Sequence, residues 1–494
     1  MSGMASIEGS ATTGNSGKAA RWVLALTSVA SFMVALDSLV VTTALTAIRL
    51  ALHTSVAELQ WTVNAYVLTF AVLLMTAAAV GDRFGRRRVF TAGIGLFTLA
   101  SAACAVAPSA GWLIAARAVQ GAGAAMVMPL AMTLLTAAFP AERRGWALGI
   151  FGGVTGLAVG AGPVVGGAIA QGLAWQWIFW LNVPIGLAAA VLTVRHIRES
   201  FGPRVAIDLG GAALVTAFGL ALVGGLVRAG SVGWASPEIV GSFALAAAAG
   251  VALVAWELRA RQPMLPMRLF RARAFAAGNA VSFLLQAALT CAVFFMAQFQ
   301  QDTLGQGPLG AGLRLLPWTA TLVLVAPRAG KLADRLGDRP LVVTGLFMQA
   351  AGLGWIALIA RPGLPYPMMI APMIVAGAGL SLAMPGAQKA VVTAVPPAEI
   401  GKAAGTFQAA RQLGGAVGIA IGVAVFATAG SYASARAFSD GFAPALAVSA
   451  GLSLAGAIAG LLLPRRAPGR PGRPSVAGDL SAVDVQDFAG DVRR

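Results

Sequence analysis

Residues 79–88 read AVGDRFGRRR and lie between two long apolar runs. Charged side chains are costly in hydrocarbon, and loops on the cytoplasmic side of a membrane carry an excess of Lys and Arg. The stretch therefore predicts a short basic turn between two membrane spans, on the cytoplasmic face. A second copy, GKLADRLGDR at residues 330–339, repeats the pattern Asp-Arg-x-Gly-x-Arg late in the chain. Two copies so far apart indicate a duplicated helical architecture.

The composition is that of a membrane protein. Of 494 residues, 58% are hydrophobic and 11% are charged, and the mean hydropathy is +0.80, outside the range of soluble globular proteins. The net charge of +17 would suit a nucleic-acid partner. The basic residues lie mostly between apolar runs, however, so membrane topology accounts for the charge and we expect no nucleic-acid partner. Cys104 and Cys291 lie singly within apolar runs and predict neither a disulfide nor a metal site.

The apolar runs define the predicted domains. A membrane-spanning helix needs about 20 mostly apolar residues, and fourteen such runs are arranged as six, two and six. We therefore predict an all-α polytopic membrane protein. Its parts are a cytoplasmic tail at 1–21, a six-helix half at 22–200, a two-helix insert at 201–262, a second six-helix half at 263–464 and a disordered cytoplasmic tail at 465–494. The predicted spans are residues 22–45, 61–80, 89–107, 112–138, 146–170, 177–194, 209–227, 239–256, 275–299, 309–326, 341–360, 367–392, 404–428 and 442–463.

The Lys and Arg residues are distributed unevenly about these spans. With the N-terminus placed inside, 28 of the 35 fall in tails and loops on the inner side, and 4 fall in loops on the outer side. The other three, Arg117, Arg314 and Arg411, lie within or at the edge of spans. This excess predicts a multi-pass protein of the cell membrane with both termini in the cytoplasm.

One carboxylate lies deep in a predicted span. Asp37 is about fifteen residues beyond Trp22, or roughly 22 Å along a helix, and no other Asp or Glu lies so far from the ends of a span. An acid at this depth faces protein or water and indicates a functional site. The alternative is a structural carboxylate bound to a fixed partner. Arg117 in the fourth span lies at a similar depth and is the candidate partner, unless its side chain extends to the lipid headgroups.

Glycines recur one helical turn apart in the fifth and thirteenth spans. Small residues at this spacing let helix backbones approach closely, and the shared pattern also fits duplicated halves. In the fifth span the glycines are followed by Gly162-Pro163-Val164-Val165-Gly166-Gly167, where Pro163 favours a bend. The recurring glycines are Gly152, Gly156 and Gly160 in the fifth span and Gly414, Gly418 and Gly422 in the thirteenth.

Other polar or flexible side chains within spans are candidates for the lining of a cavity. Methionine suits surfaces that accept varied apolar ligands, although helix packing or lipid contact also accounts for it. Amide and hydroxyl side chains either line a cavity or form hydrogen bonds with neighbouring helices. The candidates are Asn64, Tyr66, Gln120, Met126, Gln286 and Gln298.

Taken together, these residues resemble the major facilitator superfamily, specifically its fourteen-span drug:proton antiporter branch, over nearly all of residues 22–464. The turn at Asp82 is similar to the superfamily's cytoplasmic signature loop, with Ala78 in place of the usual leading glycine. The second copy has Asp338 where a basic residue is common. Further similar motifs are Leu36-Asp37 with Val40-Val41 and Ala44-Leu45 in the first span, Arg117-x-x-Gln120-Gly121 in the fourth, Gly162-Pro163-x-x-Gly166-Gly167 in the fifth, and Trp175-Gln176-Trp177-Ile178-Phe179 with Asn182-Val183-Pro184-Ile185-Gly186 at the sixth.

The resemblance implies two six-helix halves about a central cavity that opens alternately to the two sides, with the seventh and eighth spans as an insert. By the same resemblance, Asp37 and Arg117 lie in the cavity and couple transport to protons. The fifth-span motif marks an antiporter. The basic turn and its second copy are expected to act as a conformational latch, because an acid at a cytoplasmic helix end can cap helix amides and cations can bridge carboxylates as the halves close. The alternative is a pure topology anchor. The implied latch residues are Asp82, Arg83, Gly85, Arg86, Arg87, Asp334 and Arg335, and the antiporter motif comprises Gly162, Pro163, Gly166 and Gly167.

We therefore expect a monomeric antiporter that exports small, largely apolar or cationic compounds, with protons as the coupling ion and no cofactor. The alternative is an exporter or importer of a specific metabolite, because fold does not fix substrate. An enzyme or ATP-driven pump is not expected, since no Gly-Lys step continues into Ser or Thr as a phosphate-binding loop requires. A passive sensor or scaffold would show no proton-dependent flux.

Overall fold

A computed structural model describes residues 8–464, except 203–207, 261–262, 326–328, 330–331, 333–335 and 397–398. The predicted disordered tail, 465–494, and the latch residues Asp334 and Arg335 lie outside the described residues. All regular secondary structure in the described part of the chain is helical. The α-helices are α1 (Glu8–Leu52), α2 (Val56–Phe84), α3 (Arg86–Ala105), α4 (Ala110–Ala138), α5 (Ala141–Gly172), α6 (Trp177–Trp180), α7 (Asn182–His196), α8 (Leu209–Val232), α9 (Pro237–Arg259), α10 (Arg273–Gln298), α11 (Pro308–Arg314), α12 (Leu316–Leu324), α13 (Asp338–Ile359), α14 (Pro367–Thr393), α15 (Ile400–Ala429) and α16 (Ala435–Gly460).

Thirteen stretches of the described chain are long and apolar enough to cross a membrane. They correspond in order to the predicted spans, except for the tenth. There the described residues form the two shorter helices α11 and α12, which are separated at Leu315 and followed by residues outside the described chain. Pro317 lies in the first turn of α12, where its fixed φ suits a helix start and it cannot continue the helix before it.

Short polar side chains fix where several helices begin. Ser55 forms a capping box with Glu58 at the start of α2, in which the Ser55 hydroxyl accepts from the Glu58 amide and the Glu58 carboxylate accepts from the Ser55 amide. At the starts of α4, α9 and α8, the side chains of Ser109, Ser236 and Asp208 each accept a single backbone N–H. Each cap satisfies backbone N–H groups that have no partner within the helix.

The helices pack into one bundle with a buried core and an apolar exterior. α1 packs against α4 and α5, α10 against α15 and α16, and α8 against α9 and α15. The two groups α1–α7 and α10–α16 meet where α2 contacts α15 and where α5 contacts α11. Large side chains such as Leu99, Val251 and Leu358 are exposed on the outside, as expected of surfaces that face lipid. Both cysteines, Cys104 and Cys291, are completely buried and unpaired.

Two ends of the bundle can be distinguished. We call the end that contains Gly85, between α2 and α3, the basic-turn end, and the end that contains the α1–α2 loop the opposite end. Gly85 has a φ of 111°, in the left-handed region that glycine adopts without strain. This conformation lets the chain end α2 and begin α3 within one residue.

The two sets of recurring glycines have different surroundings. A Cβ added at Gly414 would lie 2.2 Å from the Phe283 carbonyl oxygen, and one at Gly418 would lie 2.1 Å from that of Ala287, so α15 and α10 are in close backbone contact. A Cβ added at Gly152 or Gly156 would meet nothing within 4 Å. The expected close helix approach is therefore present along α15, and it is absent at Gly152 and Gly156 of α5.

Candidate functional site

A buried ion pair lies between α1 and α4. Asp37 of α1 is 2% exposed, and Arg117 of α4 is completely buried. Arg117 Nη1 donates to Asp37 Oδ2 at 2.5 Å. The second carboxylate oxygen, Oδ1, accepts from Gln120 Nε2 and from Asn182 Nδ2, each at 2.9 Å. The carboxylate is thus bound by three donors that come from α4 and α7.

The guanidinium of Arg117 is held on several sides. Its Nη1 also donates to Gln120 Oε1 at 2.7 Å, and its Nε donates to the Thr62 carbonyl oxygen at 3.1 Å. The carbon Cζ lies 4.2 Å from the centre of the Tyr66 ring, a distance at which the ring face attracts a cation. Tyr66 is itself anchored, since its hydroxyl donates to the Val34 carbonyl oxygen at 3.2 Å. Only Nη2 is buried without a hydrogen-bond partner among the described residues.

Local sequence places these groups together. Arg117 and Gln120 are three residues apart in α4 and so lie on one face of the helix. Gly121 follows them, and a Cβ there would lie 2.4 Å from the Tyr66 carbonyl oxygen. The absence of a side chain at Gly121 therefore lets α4 pack directly on α2, which brings Arg117 over the Tyr66 ring.

Asn182 completes the network from a break between two helices. The chain leaves α6 at Leu181 and begins α7 at Asn182. Asn182 Nδ2 bonds to Ser101 Oγ at 3.0 Å as well as to Asp37, and Ser101 Oγ donates to the Phe179 carbonyl oxygen at 2.9 Å. Asn182 and Ser101 are absent from the predicted site. The available signal for Asn182 is its place in the sixth-span motif, whereas Ser101 has none.

Protonation of Asp37 would disrupt this network. The Asp37–Arg117 pair is neutral as a whole, and protonation of Asp37 would remove the charge that holds Arg117. Removing one partner from a buried ion pair costs about 3–5 kcal/mol in known proteins. A proton on Asp37 would therefore change the contacts that join α1, α4 and α7, which gives protonation a means of favouring one conformation over another.

The other predicted cavity residues lie in separate environments. Asn64 in α2 is completely buried, and neither of its amide atoms has a hydrogen-bond partner among the described residues. Met126 in α4 packs on α3, because a Cβ at Gly93 would lie 2.6 Å from Met126 Cβ. Gln286 in α10 is partly exposed and lies beside Gly415 of α15, where a Cβ would be 3.6 Å from Gln286 Cγ.

Gln298 belongs to a polar cluster at the opposite end of the bundle. Its Oε1 accepts from the Tyr432 hydroxyl at 2.5 Å, and the Tyr432 ring lies 4.1 Å from Arg49 Cζ. Arg49 Nη2 in turn pairs with Asp302 Oδ1 at 2.9 Å. Burial, together with the nearby Asp302 carboxylate, raises the pKa of Tyr432, so the hydroxyl stays protonated near neutral pH and remains a donor. This cluster joins α1 to the π-helix Phe299–Thr303 and to the loop before α16.

The basic turn is tied to the segment after α7. Asp82 Oδ1 accepts from Arg86 Nε at 2.7 Å, and the Asp82 carbonyl oxygen accepts from the Gly202 amide at 3.0 Å. Arg83 is exposed, with Cζ 5.5 Å from the centre of the Phe84 ring. All these contacts lie among residues 82–202.

Glu199, absent from the predicted site, caps the helix that the turn begins. Its carboxylate accepts from the backbone amides of Arg87 at 2.8 Å and Arg88 at 3.2 Å, and both arginine Nε atoms lie 3.7 Å from it. An anion at a helix N-terminus is favoured by the unpaired amides and by the helix dipole. The sequence signal is weak, because the acid lies more than 100 residues from the turn.

The fifth-span motif is a place of close backbone contact. A Cβ at Gly166 would lie 2.4 Å from a backbone carbonyl of α1, and one at Gly167 would lie 2.2 Å from the Pro308 carbonyl oxygen. In the reverse direction, a Cβ at Gly312 would lie 2.2 Å from the Pro163 carbonyl oxygen. The motif therefore brings α5 against both α1 and α11.

Comparison with known proteins identifies the family. A model of the Major Facilitator Superfamily matches residues 27–274 and 278–490. The tetracenomycin C resistance and export protein of Streptomyces glaucescens is 34% identical over 393 residues, which cover 79% of this chain and 73% of that protein. The methylenomycin A resistance protein of Streptomyces coelicolor is 36% identical over 390 residues, which cover 78% of this chain and 81% of that protein.

Solved structures share the fold. A POT family transporter in complex with 5-aminolevulinic acid superposes with a TM-score of 0.68 at 13% sequence identity, over 88% of this chain and 94% of that one. This similarity supports the all-α bundle expected from the apolar runs. The family match and the relatives together show that the chain belongs to the Major Facilitator Superfamily, as a multi-pass transporter of the cell membrane and not an enzyme.

Proposed function

We propose that this protein is a proton-coupled antiporter that exports small, largely apolar compounds, antibiotics among them, by alternating access. The observation that carries the proposal is the Asp37 carboxylate, which is 2% exposed and far from the ends of its helix. Acids within membrane spans commonly serve as proton relays in transporters. The resistance and export named for the Streptomyces relatives support antibiotic export.

In the proposed cycle, Asp37 takes a proton from outside and releases it inside. Protonation weakens the bond to Arg117 and favours one conformation, and deprotonation restores the ion pair and favours the other. The free energy of proton entry is thereby available to move substrate outward, because a ligand shifts an equilibrium only by its different affinity for the two states. Protons are the coupling ion in this scheme, and no cofactor takes part.

The proposal includes the substrate class. The sequence-based expectation extends to cationic compounds, which would need an accessible carboxylate. Asp37 is already bound by Arg117, Gln120 and Asn182. A cation would have to displace these donors, whereas a neutral apolar compound would not, so apolar compounds fit better.

We also propose fourteen spans in a six, two and six arrangement, with α11 and α12 within the tenth, both termini in the cytoplasm and a monomeric unit. The excess of Lys and Arg on one side supports this orientation. Reporter fusions after Arg204 and after Arg465 should both report the cytoplasm. A periplasmic signal at either position would contradict the arrangement.

The basic turn is proposed as a conformational latch. Asp82 accepts hydrogen bonds from Arg86 Nε and from the Gly202 amide, at the end that is cytoplasmic in this proposal. The change Asp82→Asn leaves every positive charge in place, so it separates a latch from a pure topology signal. We expect normal insertion and slower transport in cells. Transport at the wild-type rate would contradict the latch.

The test of the main proposal is transport by purified protein in liposomes. An imposed proton gradient should drive accumulation of a fluorescent apolar antibiotic or dye against its own gradient, and an uncoupler should abolish the accumulation. Movement of protons opposite to the compound, followed with a pH-sensitive dye in the lumen, distinguishes antiport from symport. Transport at the same rate with and without the gradient would show a facilitator and refute proton coupling.

A further inference from the structure

Arg411 is a charged residue in the middle of a long helix. It lies about 11 residues after Ile400 in α15, or roughly 16 Å along the helix axis. Two contacts between α15 and α2, one on each side of Arg411 in the sequence, fix its position along the length of the bundle. A Cβ at Gly405 would lie 3.7 Å from Met75, and the Gln60 side chain donates to the Ile419 carbonyl oxygen at 3.4 Å. Arg411 therefore lies between the two ends of the bundle.

No described residue pairs with Arg411. Its Nε atom is buried without a hydrogen-bond partner, and no ion pair or hydrogen bond joins its side chain to the described part of the chain. An arginine within a membrane span ordinarily faces the bundle interior or water and pairs with an acid or with carbonyl groups. An unpaired one is costly, so its presence calls for a ligand that supplies the missing acceptors.

The helix face that carries Arg411 packs on α10. Gly415 is one turn beyond Arg411 on the same face of α15. It packs on α10, where the Thr290 hydroxyl donates to the Gly415 carbonyl oxygen at 3.0 Å and Gln286 lies alongside. Leu413, on the other side of the helix, faces α8, since a Cβ at Gly219 would lie 3.8 Å from Leu413 Cδ1. Arg411 thus lies on the α10 side of α15, away from α8, and is partly exposed.

The charge of Arg411 is not balanced from elsewhere in the interior. Asp37 is the one carboxylate far from helix ends in the described chain, and it is bonded to Arg117, Gln120 and Asn182. Since Asp37 and Arg117 neutralise each other, Arg411 gives the interior a net positive charge. A guanidinium presents its donors in a planar fork that matches the two oxygens of a carboxylate.

We propose that Arg411 binds an anionic group of the substrate, a carboxylate or a comparable oxyanion, on the α10 side of α15 within the bundle. The proposal rests on the proposed export function and narrows its substrates to apolar compounds that carry one acidic group. Gln286 is placed to contact the same compound from α10.

The test compares an aromatic acid with its neutral ester. Anthracene-9-carboxylate and its methyl ester have the same ring system, and their fluorescence reports equilibrium binding to the full-length protein in phosphatidylcholine nanodiscs. We expect the acid to bind about 10- to 100-fold more tightly than the ester, the range that hydrogen bonds to a charged group supply. In Arg411→Gln the acid should lose this advantage while the affinity for the ester stays within about twofold, and Arg411→Lys should keep part of it.

Arg436→Gln is the matched control, because it removes a positive charge from an exposed position of α16. It should bind both probes as the wild type does. Equal affinity of the wild type for acid and ester, or an acid preference that survives Arg411→Gln, would overturn the proposal. An anionic lipid headgroup is the other source of such an oxyanion. If phosphatidylglycerol in the nanodiscs weakens acid binding in the wild type and not in Arg411→Gln, the site holds lipid and the substrate assignment is wrong.

Binding is measured without a proton gradient, so this test and the export test fail separately. Proton-driven export of the ester and the acid without any acid preference would refute the Arg411 site and leave the export proposal standing. An acid preference that depends on Arg411, together with gradient-independent transport, would support the site and refute proton coupling.

Discussion

Two arginines lie far inside long helices, and their surroundings differ in burial and in hydrogen-bond partners. Arg117 is completely buried and bonds to Asp37, Gln120 and the Thr62 carbonyl, all within α1–α4. Arg411 is partly exposed and has no partner in the described part of the chain. In the proposed mechanism, the Arg117 charge is neutralised by Asp37, and protonation of Asp37 alters this pair without any substrate. A charge that is not neutralised is available to a ligand, so the two positions suit two separate tasks.

The largest effect is expected from removal of the charge on Asp37. In Asp37→Asn the side chain keeps its shape and an acceptor oxygen and loses the carboxylate that the proposed mechanism protonates, so proton-driven export in liposomes should fall to the level of empty liposomes. The exposed acid Asp440 in α16 provides the control, and Asp440→Asn should transport normally. Undiminished gradient-driven export by Asp37→Asn would remove Asp37 from the coupling mechanism and direct attention to Asp302 or Glu257.

The second largest effect concerns the stability of the buried pair. Arg117→Met leaves the Asp37 charge buried with two amide donors, so the free energy of unfolding should fall by about 3–5 kcal/mol. The double change Asp37→Asn with Arg117→Met removes both charges and should recover most of that loss, because the two residues act as one unit. Thermal unfolding of purified protein in detergent measures both. A double variant as unstable as the sum of the two single variants would show that the pair is not a unit.

A smaller effect is expected from the amide that completes the network. Asn182→Ala removes one donor to Asp37 and one to Ser101, and should destabilise the protein by about 1–3 kcal/mol. Asn64→Ala is the matched change, since the Asn64 amide is buried without partners among the described residues. It should lower the stability of the protein less than Asn182→Ala does, or raise it. Equal losses for the two variants, again by thermal unfolding, would mean that packing rather than hydrogen bonding dominates at Asn182.

The smallest effect on stability is expected at Arg411. Arg411→Met replaces an unpaired charge by an apolar side chain of similar length, so the protein should be as stable as the wild type or more stable by about 1 kcal/mol. Arg117→Met, by contrast, should lose about 3–5 kcal/mol. A loss as large as that of Arg117→Met would reveal an acceptor for Arg411 and erase the difference between the two arginines.

Much of the fold can be predicted from the sequence, because helices that cross a membrane are long apolar runs with few charges. Charged residues within apolar runs are rare, so Asp37 and Arg117 stand out and their similar depth brings them together. Helix ends are less regular. The tenth predicted span is two short helices in the described residues, separated at Leu315 ahead of Pro317, and an apolar count alone does not register such a break.

The composition of the network is harder to predict than its charges. Asn182 and Ser101 are small polar residues that occur throughout the spans, and only the fold shows which of them reach Asp37. The same limit applies to Arg411, whose sequence context resembles that of any basic residue in a span. Whether a charge is paired depends on the neighbouring helices, which the sequence order does not reveal.

Identical glycine spacing led to different packing for the same reason. Gly414 and Gly418 each meet a backbone carbonyl of α10, whereas Gly152 and Gly156 meet nothing within 4 Å. A repeated motif therefore predicts that close approach is possible, and the partner helix decides whether it occurs.

The burial of both thiols makes the protein convenient for spectroscopy. Cys104 and Cys291 are the only cysteines in the chain and neither is exposed, so a cysteine introduced at the surface is the single site that a maleimide or spin label can reach. Leu50, which is 66% exposed at the end of α1, and Arg436 at the start of α16 flank the cluster that joins Arg49 to Asp302. Labels at these two positions would report the distance between the end of α1 and the start of α16 during transport, without prior removal of native cysteines.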